Sequence, residues 1–225
     1  MTTKKNIGIV FAFLAAMLYA FNFPFSKILL QRLSPTMMAG ILYLGAGAGM
    51  VVIGFFRKKL SRISEEPQLT QKDIPFIIAI ILLDIIAPIF LMIGIQFSTA
   101  SSVSLLVSFE IVATALIAKA LFRESISRQL WFAIALITFS SLILSFDSIQ
   151  SFSFSIGSIL VLSACTCWGF ENNCTRKLSN KDPLQIVAIK GVGSGFGSLF
   201  FSVCRNEFGG SVTDILWALL LGFIT

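Results

Sequence analysis

"YAFNFPFSKIL", from Tyr19 to Leu29, is echoed by "WGFENNCTRKL", from Trp168 to Leu178, 149 positions further along. Past a one-residue gap the register becomes 148, which sets Pro35 on Pro183. The glycines then coincide: Gly45 on Gly193, Gly47 on Gly195 and Gly49 on Gly197. Both copies lie in long apolar runs, so the pattern is that of a duplicated membrane unit. It divides the chain into a first repeat, residues 1–150, and a second, residues 151–225, which stops after the start of its third helix.

Composition points the same way. Apolar residues make up 56% of the chain, charged residues 12%, and histidine is absent. A soluble domain carries about 25% charged residues. Apolar runs of about 20 residues, enough for a helix to cross the hydrocarbon, recur throughout. The net charge of +6 could suit nucleic acid. The basic residues, however, cluster at the ends of apolar runs, as in membrane proteins, and nucleic acid is excluded on that ground. The first run is too long for a signal-peptide core and lacks a small-residue cleavage site, so it reads as a retained span. Cys165, Cys167, Cys174 and Cys204 have no histidine partners and no zinc-finger spacing. They read as small, reduced, buried side chains; no metal and no cofactor is expected.

The apolar runs predict spans at residues 7–30, 35–56, 74–97, 101–122, 129–147, 155–177 and 183–203, with an eighth starting near Thr213 and cut off at Thr225. Thirteen residues of helix make roughly 20 Å, less than the bilayer core of about 30 Å. The expected fold is therefore an all-α membrane protein: two inverted five-helix repeats, ten spans in a full-length form, about seven and a half of them present here. With the N-terminus inside, the cytoplasmic side receives thirteen basic residues, among them Lys4, Lys5, Arg57, Lys58, Lys59, Arg62, Arg176 and Lys181. The outside receives Lys27, Arg32 and Arg205. That bias sets a cytoplasmic N-terminus, and an odd number of spans per repeat then inverts the second copy. Residues 98–100 barely allow a turn, which predicts that spans three and four are antiparallel neighbours.

Four ionisable residues fall inside these spans: Asp84, Glu110, Glu171 and Lys190. Each costs about 2.5–3.5 kcal/mol at a helix centre, so each needs a partner or a wet cavity. Satisfied interhelical bonds are the plain alternative to a transport role. Glu171 is expected nearest to water, toward its helix end. Pro88 removes the amide that would pair with the carbonyl of Asp84, and Pro24 does the same for Ala20, close to Asn22. Both prolines are candidate kinks. Asn172 and Asn173 sit beside Glu171 in a polar cluster. Gly45 with Gly49, and Gly193 with Gly197, form small-xxx-small faces for close helix packing; no strand precedes them, so they are not a nucleotide-binding loop.

"SLLVSFEIVATALIAKALFRESIS", from Ser104 to Ser127, resembles the end of the first repeat in EamA-type members of the drug/metabolite transporter superfamily. Glu110 and Glu124 hold the two glutamate positions, whereas Ile111 stands for the usual proline and Arg123 for the usual glycine. "CWGFENNCTRKLSNKDPLQIVAIKG", from Cys167, resembles the start of the second repeat, with Trp168, Arg176 and Pro183 in register. Lys190 takes a position where many members have arginine, and its first-repeat counterpart is Leu42. The resemblance implies ten helices in two inverted repeats, cytoplasmic termini, and movement of small metabolites or drugs, frequently export.

The expectation is a secondary transporter of small molecules working by alternating access in a bacterial or archaeal cell membrane. Asp84, Glu110, Glu171, Asn172, Lys190 and Asn22 would line its substrate or ion path. Its expected partners are the cargo, membrane lipid, protons as a candidate coupling ion, and a second copy of the chain as a candidate. A non-transporting scaffold or fragment is the alternative. An intramembrane enzyme would need an activated nucleophile or a ligand set, and the sequence offers neither.

Overall fold

The computed structural model describes residues 10, 13–59, 67–148 and 153–224. Lys4, Lys5, Arg62 and the first residues of the first span lie outside them. The described chain is helical apart from one short antiparallel ribbon. Helix α1 (Phe13–Leu29) is followed by α2 (Pro35–Lys59), a 3-10 turn at Gln71–Asp73, α3 (Ile74–Gln96), α4 (Ala100–Leu106), α5 (Phe109–Phe122) and α6 (Arg128–Ser145). The ribbon pairs β1 (Phe146–Ser148) with β2 (Ser153–Phe154), where one expected repeat gives way to the next. Then come α7 (Ile156–Lys177), α8 (Pro183–Cys204) and α9 (Val212–Ile224).

Four segments are long and apolar enough to cross a bilayer: Pro35–Arg57, Gln71–Gln96, Ala100–Leu121 and Pro183–Cys204. Phe13–Leu29, Arg128–Ile143 and Val212–Ile224 are shorter apolar helices. Helix α7 is long enough at 22 residues, but Glu171, Asn172, Asn173 and Arg176 dilute its apolar character. The outer face of the bundle is apolar: Phe132, Phe139, Phe196 and Phe200 are each more than 60% exposed. In water that surface would be a liability; against lipid it is the expected finish.

Two helix interruptions separate sequence from structure. Pro24 offers no amide to the carbonyl of Ala20, and α1 relaxes into a turn at Phe21 before resuming at Asn22. Helix α3, by contrast, runs on through Pro88. Span four, expected to be continuous, is broken at Val107–Ser108 although it contains no proline or glycine. The thiol of Cys165 on α7 lies 3.7 Å from the carbonyls of both Leu106 and Val107, a weak donor at the break, where Val107 also accepts from the Glu110 amide at 3.0 Å. The break places Glu110 in the first turn of α5, where the positive end of the helix dipole suits a carboxylate.

The helices pack in the lateral order α5, α7, α3, α8, α2, α9. Spans three and four are therefore neighbours only at their connecting turn; beyond it α7 lies against both. Glycine makes these contacts close. A Cβ on Gly47 of α2 would stand 2.7 Å from the backbone of Val192 on α8, and one on Gly191 would stand 2.6 Å from the Cα of Gly47. Gly45 and Gly49 turn to the other side of α2 and meet Phe223 of α9. Gly193 and Gly197 face Ile81 and Ile85 of α3. Each glycine pair thus serves a different interface from the α2–α8 crossing.

Ion pairs tie the two ends. At one end Lys181 pairs with Asp73 at 3.0 Å and Arg57 pairs with Asp182, which also caps α8 by accepting the Leu184 amide. At the other, Arg32 pairs with Asp214 at 3.3 Å, and Glu207 accepts from Thr36 at 2.6 Å. Lys27 there donates to the carbonyls of Ile95, Gln96 and Ser98, which closes the end of α3.

Candidate functional site

Near the middle of the bundle, where α2, α3, α7 and α8 approach, the polar side chains of four helices converge. Asp84 on α3 is fully buried. Its Oδ1 accepts from the Tyr43 hydroxyl of α2 at 3.0 Å, and its Oδ2 lies 3.2 Å from Lys190 Nζ. That second approach is an ion pair without an aligned hydrogen bond. Glu171 on α7 accepts from the same Nζ at 2.8 Å and from the Thr175 hydroxyl. Trp168 donates its indole N–H to the Tyr43 oxygen at 3.3 Å. The result is a continuous chain from Trp168 through Tyr43, Asp84 and Lys190 to Glu171.

A cavity of about 240 Å³ adjoins this chain. Tyr19, Asn22, Tyr43, Pro88, Trp168 and Lys190 contribute to its wall, with Gly191 and Gly222 among the small residues. Asn22 accepts from Ser26 at 3.0 Å. The lysine is the charged group that looks into this space, while the two acids behind it are sealed from it. Chemically, the wall combines aromatic faces with one positive charge held by two negative ones.

Glu110 and Asn172 form a second polar group, on the α5 side of α7. Asn172 donates to Glu110 Oε1 at 2.7 Å and approaches the Thr114 hydroxyl at 3.3 Å. A cavity of about 380 Å³ opens beside them, bordered by Glu110, Thr114, Asn172, Glu124 and Arg176. The Arg176–Glu124 pair, at 2.5 Å, stands at its rim.

The six path residues read from the sequence therefore fall into two groups. Lys190 and Asn22 border the central cavity, with Asp84 and Glu171 behind the lysine; Glu110 and Asn172 sit on the neighbouring face of α7. Glu171, expected to reach water, is 2% exposed and held by Lys190, because the next turn of α7 is still covered by α3 and α8. Tyr43, Trp168 and Thr114 are not among the path residues read from the sequence, and Asn173 is read there only as part of the polar cluster beside Glu171. Tyr43 carried a signal: it is the lone polar side chain of α2 between Thr36 and Arg57. Asn173 is buried and donates to the carbonyls of Gly169 and Thr114, so it ties α7 to α5.

Residues 6–146 match the EamA-like transporter family. The chain belongs to that family. A crystal structure described only as that of a protein shares the fold, with a TM-score of 0.64 and 14% identity over 94% of this chain and 74% of the other. At that identity the likeness is one of architecture. Curated proteins yield no match to the sequence. Family and apolar helices together make the chain a multi-pass integral membrane protein with a transporter-type function. Members of the EamA-like family are transporters and not enzymes.

Proposed function

We propose that this chain moves a small molecule across a cell membrane by alternating access between two inverted repeats, residues 1–150 and 151–225. The observation that carries the reading is a difference between two places the repeat makes equivalent. The 149-residue register sets Phe25 and Leu29 on Cys174 and Leu178. Matching the helix starts Asp73 and Asp214 sets Ile80 on Leu221. At one end Ile80, Leu178 and Ile186 form a sealed apolar cluster with Cys174 packed against it, leaving a void of only about 10 Å³. At the other end Phe25, Leu29 and Leu221 line an open groove of about 560 Å³. One end is sealed and its counterpart is not, the asymmetry alternating access calls for; the groove reaches Ile224, the last residue described.

The ion pairs fit the same symmetry. The registers carry Arg32 onto Lys181 and Asp214 onto Asp73, so the two clasps at opposite ends are the same contact made twice. The glycines follow suit: Gly193 meets Ile81 of α3, and its counterpart Gly45 meets the backbone around Gly222 of α9. Within this reading Asp84, Glu171, Lys190 and Asn22 form the central path, with Glu110 and Asn172 beside it. The acids are candidate sites for protons that drive the cycle. The basic bias puts the sealed end in the cytoplasm, with the N-terminus, and the open groove outside. Export of a metabolite or drug is the direction the family resemblance favours.

Disulfide trapping tests the two states. In a chain whose only cysteines are Cys174 and Ile80→Cys, oxidation should crosslink the resting protein. In one whose only cysteines are Phe25→Cys and Leu221→Cys, it should crosslink only after cargo is supplied. Both pairs closing together, in the absence of any cargo, would remove the alternating-access reading.

A further inference from the structure

Lys190 is a cation that the chain supplies to itself. Its side chain reaches from α8 to two helices at once, with Nζ 2.8 Å from Glu171 on α7 and 3.2 Å from Asp84 on α3. Asp84 is 0% exposed, Glu171 is 2% exposed, and Asp84 Oδ2 has no hydrogen-bond partner among the described residues. The repeat does not require this arrangement: Lys190 corresponds to Leu42, and Glu171 to Asn22. Two carboxylates against one ammonium leave an excess of negative charge in a buried place, where removing one partner of an ion pair is strongly destabilising.

We propose that Asp84 and Glu171 form a monovalent-cation site which Lys190 occupies as a tethered ammonium, and that primary alkylammonium ions are the ligand class fitting it once the lysine is gone. The chemistry favours an ammonium over a metal ion. A hard cation wants six or more oxygen ligands; here two carboxylates converge, and the nearby hydroxyls of Tyr43 and Thr175 are spent as donors to them. An ammonium needs only acceptors for its N–H groups and a slot for its stem. The Lys190 stem has that slot beside the central cavity. The site is thereby filled without any inorganic cation. The inference rests on the transport reading for what the site serves, but its test uses no transport.

The experiment uses the whole chain in detergent, with Lys190→Ala and the probe n-propylammonium, which replaces the severed part of the side chain. Sodium and tetramethylammonium are run in parallel. Propylammonium should raise the apparent unfolding midpoint of the variant by about 5 °C near saturation. It should also shift Trp168 emission when Trp131 and Trp217 are phenylalanine. Wild-type chain should respond to none of the three, and tetramethylammonium, which has no N–H, should be inert throughout. No response in Lys190→Ala, an equal response in the wild type, or a response to sodium alone would overturn the proposal. Should Lys190→Ala fail to fold, the triple variant that adds Asp84→Asn and Glu171→Gln should recover the fold without any cation. A triple variant as unstable as the single one would overturn the proposal, since lysine would then be needed for its packing and not its charge. A chain that moves no cargo leaves all these readouts intact, so the two readings fail separately.

Discussion

Tyr43 shows how much a single hydroxyl can hold in a bilayer. It donates to Asp84 and accepts from Trp168, so its removal strands a buried carboxylate oxygen and an indole N–H. Tyr43→Phe should lower stability by about 1–3 kcal/mol, the cost of unsatisfied buried groups; a chemical-denaturation curve in mixed micelles will measure it. Arg123 is the opposite case, a residue the fold tolerates without profit. It ends α5 in the left-handed region at φ 54°, with its own amide and that of Glu124 both returning to the carbonyl of Ala118. A side chain there costs about 1–2 kcal/mol, partly offset by the flexibility glycine brings to the unfolded chain. Arg123→Gly should therefore raise stability by up to about 1 kcal/mol in the same assay. The sequence exposed this site through its departure from the EamA pattern, which has glycine at that position. Asp84, Glu171 and Lys190 were legible for a simpler reason: charge is expensive in a span. Trp168 was not, because an aromatic side chain in an apolar run fits lipid, packing or binding equally well, and the lone hydroxyl of Tyr43 gave only a weak signal.

At the scale of helices, glycine spacing was readable and its partners were not. The ladders announced close contacts, yet only the assembled bundle reveals that the central contact, Gly47 on Gly191, joins α2 to α8 while the flanking glycines serve α9 and α3. Gly47→Leu should abolish a monodisperse bundle, since the atoms it meets are backbone and cannot swing aside, a strain of at least about 3 kcal/mol. Gly54→Leu, on the same helix with nothing within 4 Å, should leave the size-exclusion profile unchanged. The break between α4 and α5 was invisible to sequence for a related reason. Its stretch contains neither proline nor glycine, and the thiol facing the carbonyls at the break comes from α7, far along the chain.

At the scale of the molecule, the duplicated stretches and the charge bias lead to the expectation of two units set in opposite senses. What they could not reveal is which end is shut, because equivalent residues have the same identity in either state. The packing makes that choice, and the clasps give a way to tip it. Lys181→Ala should loosen the sealed end and speed maleimide labelling of Cys174, whereas Arg32→Ala, at the end already open, should leave that rate unaltered. Equal acceleration by both substitutions would show that the clasps act on general stability and not on one end. The glycine crossing of α2 and α8 has a mechanical corollary. Its centre is bare main chain, with Leu44 seated on Gly195 and Leu199 on Gly40, so within the alternating-access reading the two halves would pivot about that centre. Such a pivot, set between the two clasps, would act as a fulcrum: whatever lifts one end would press the other down.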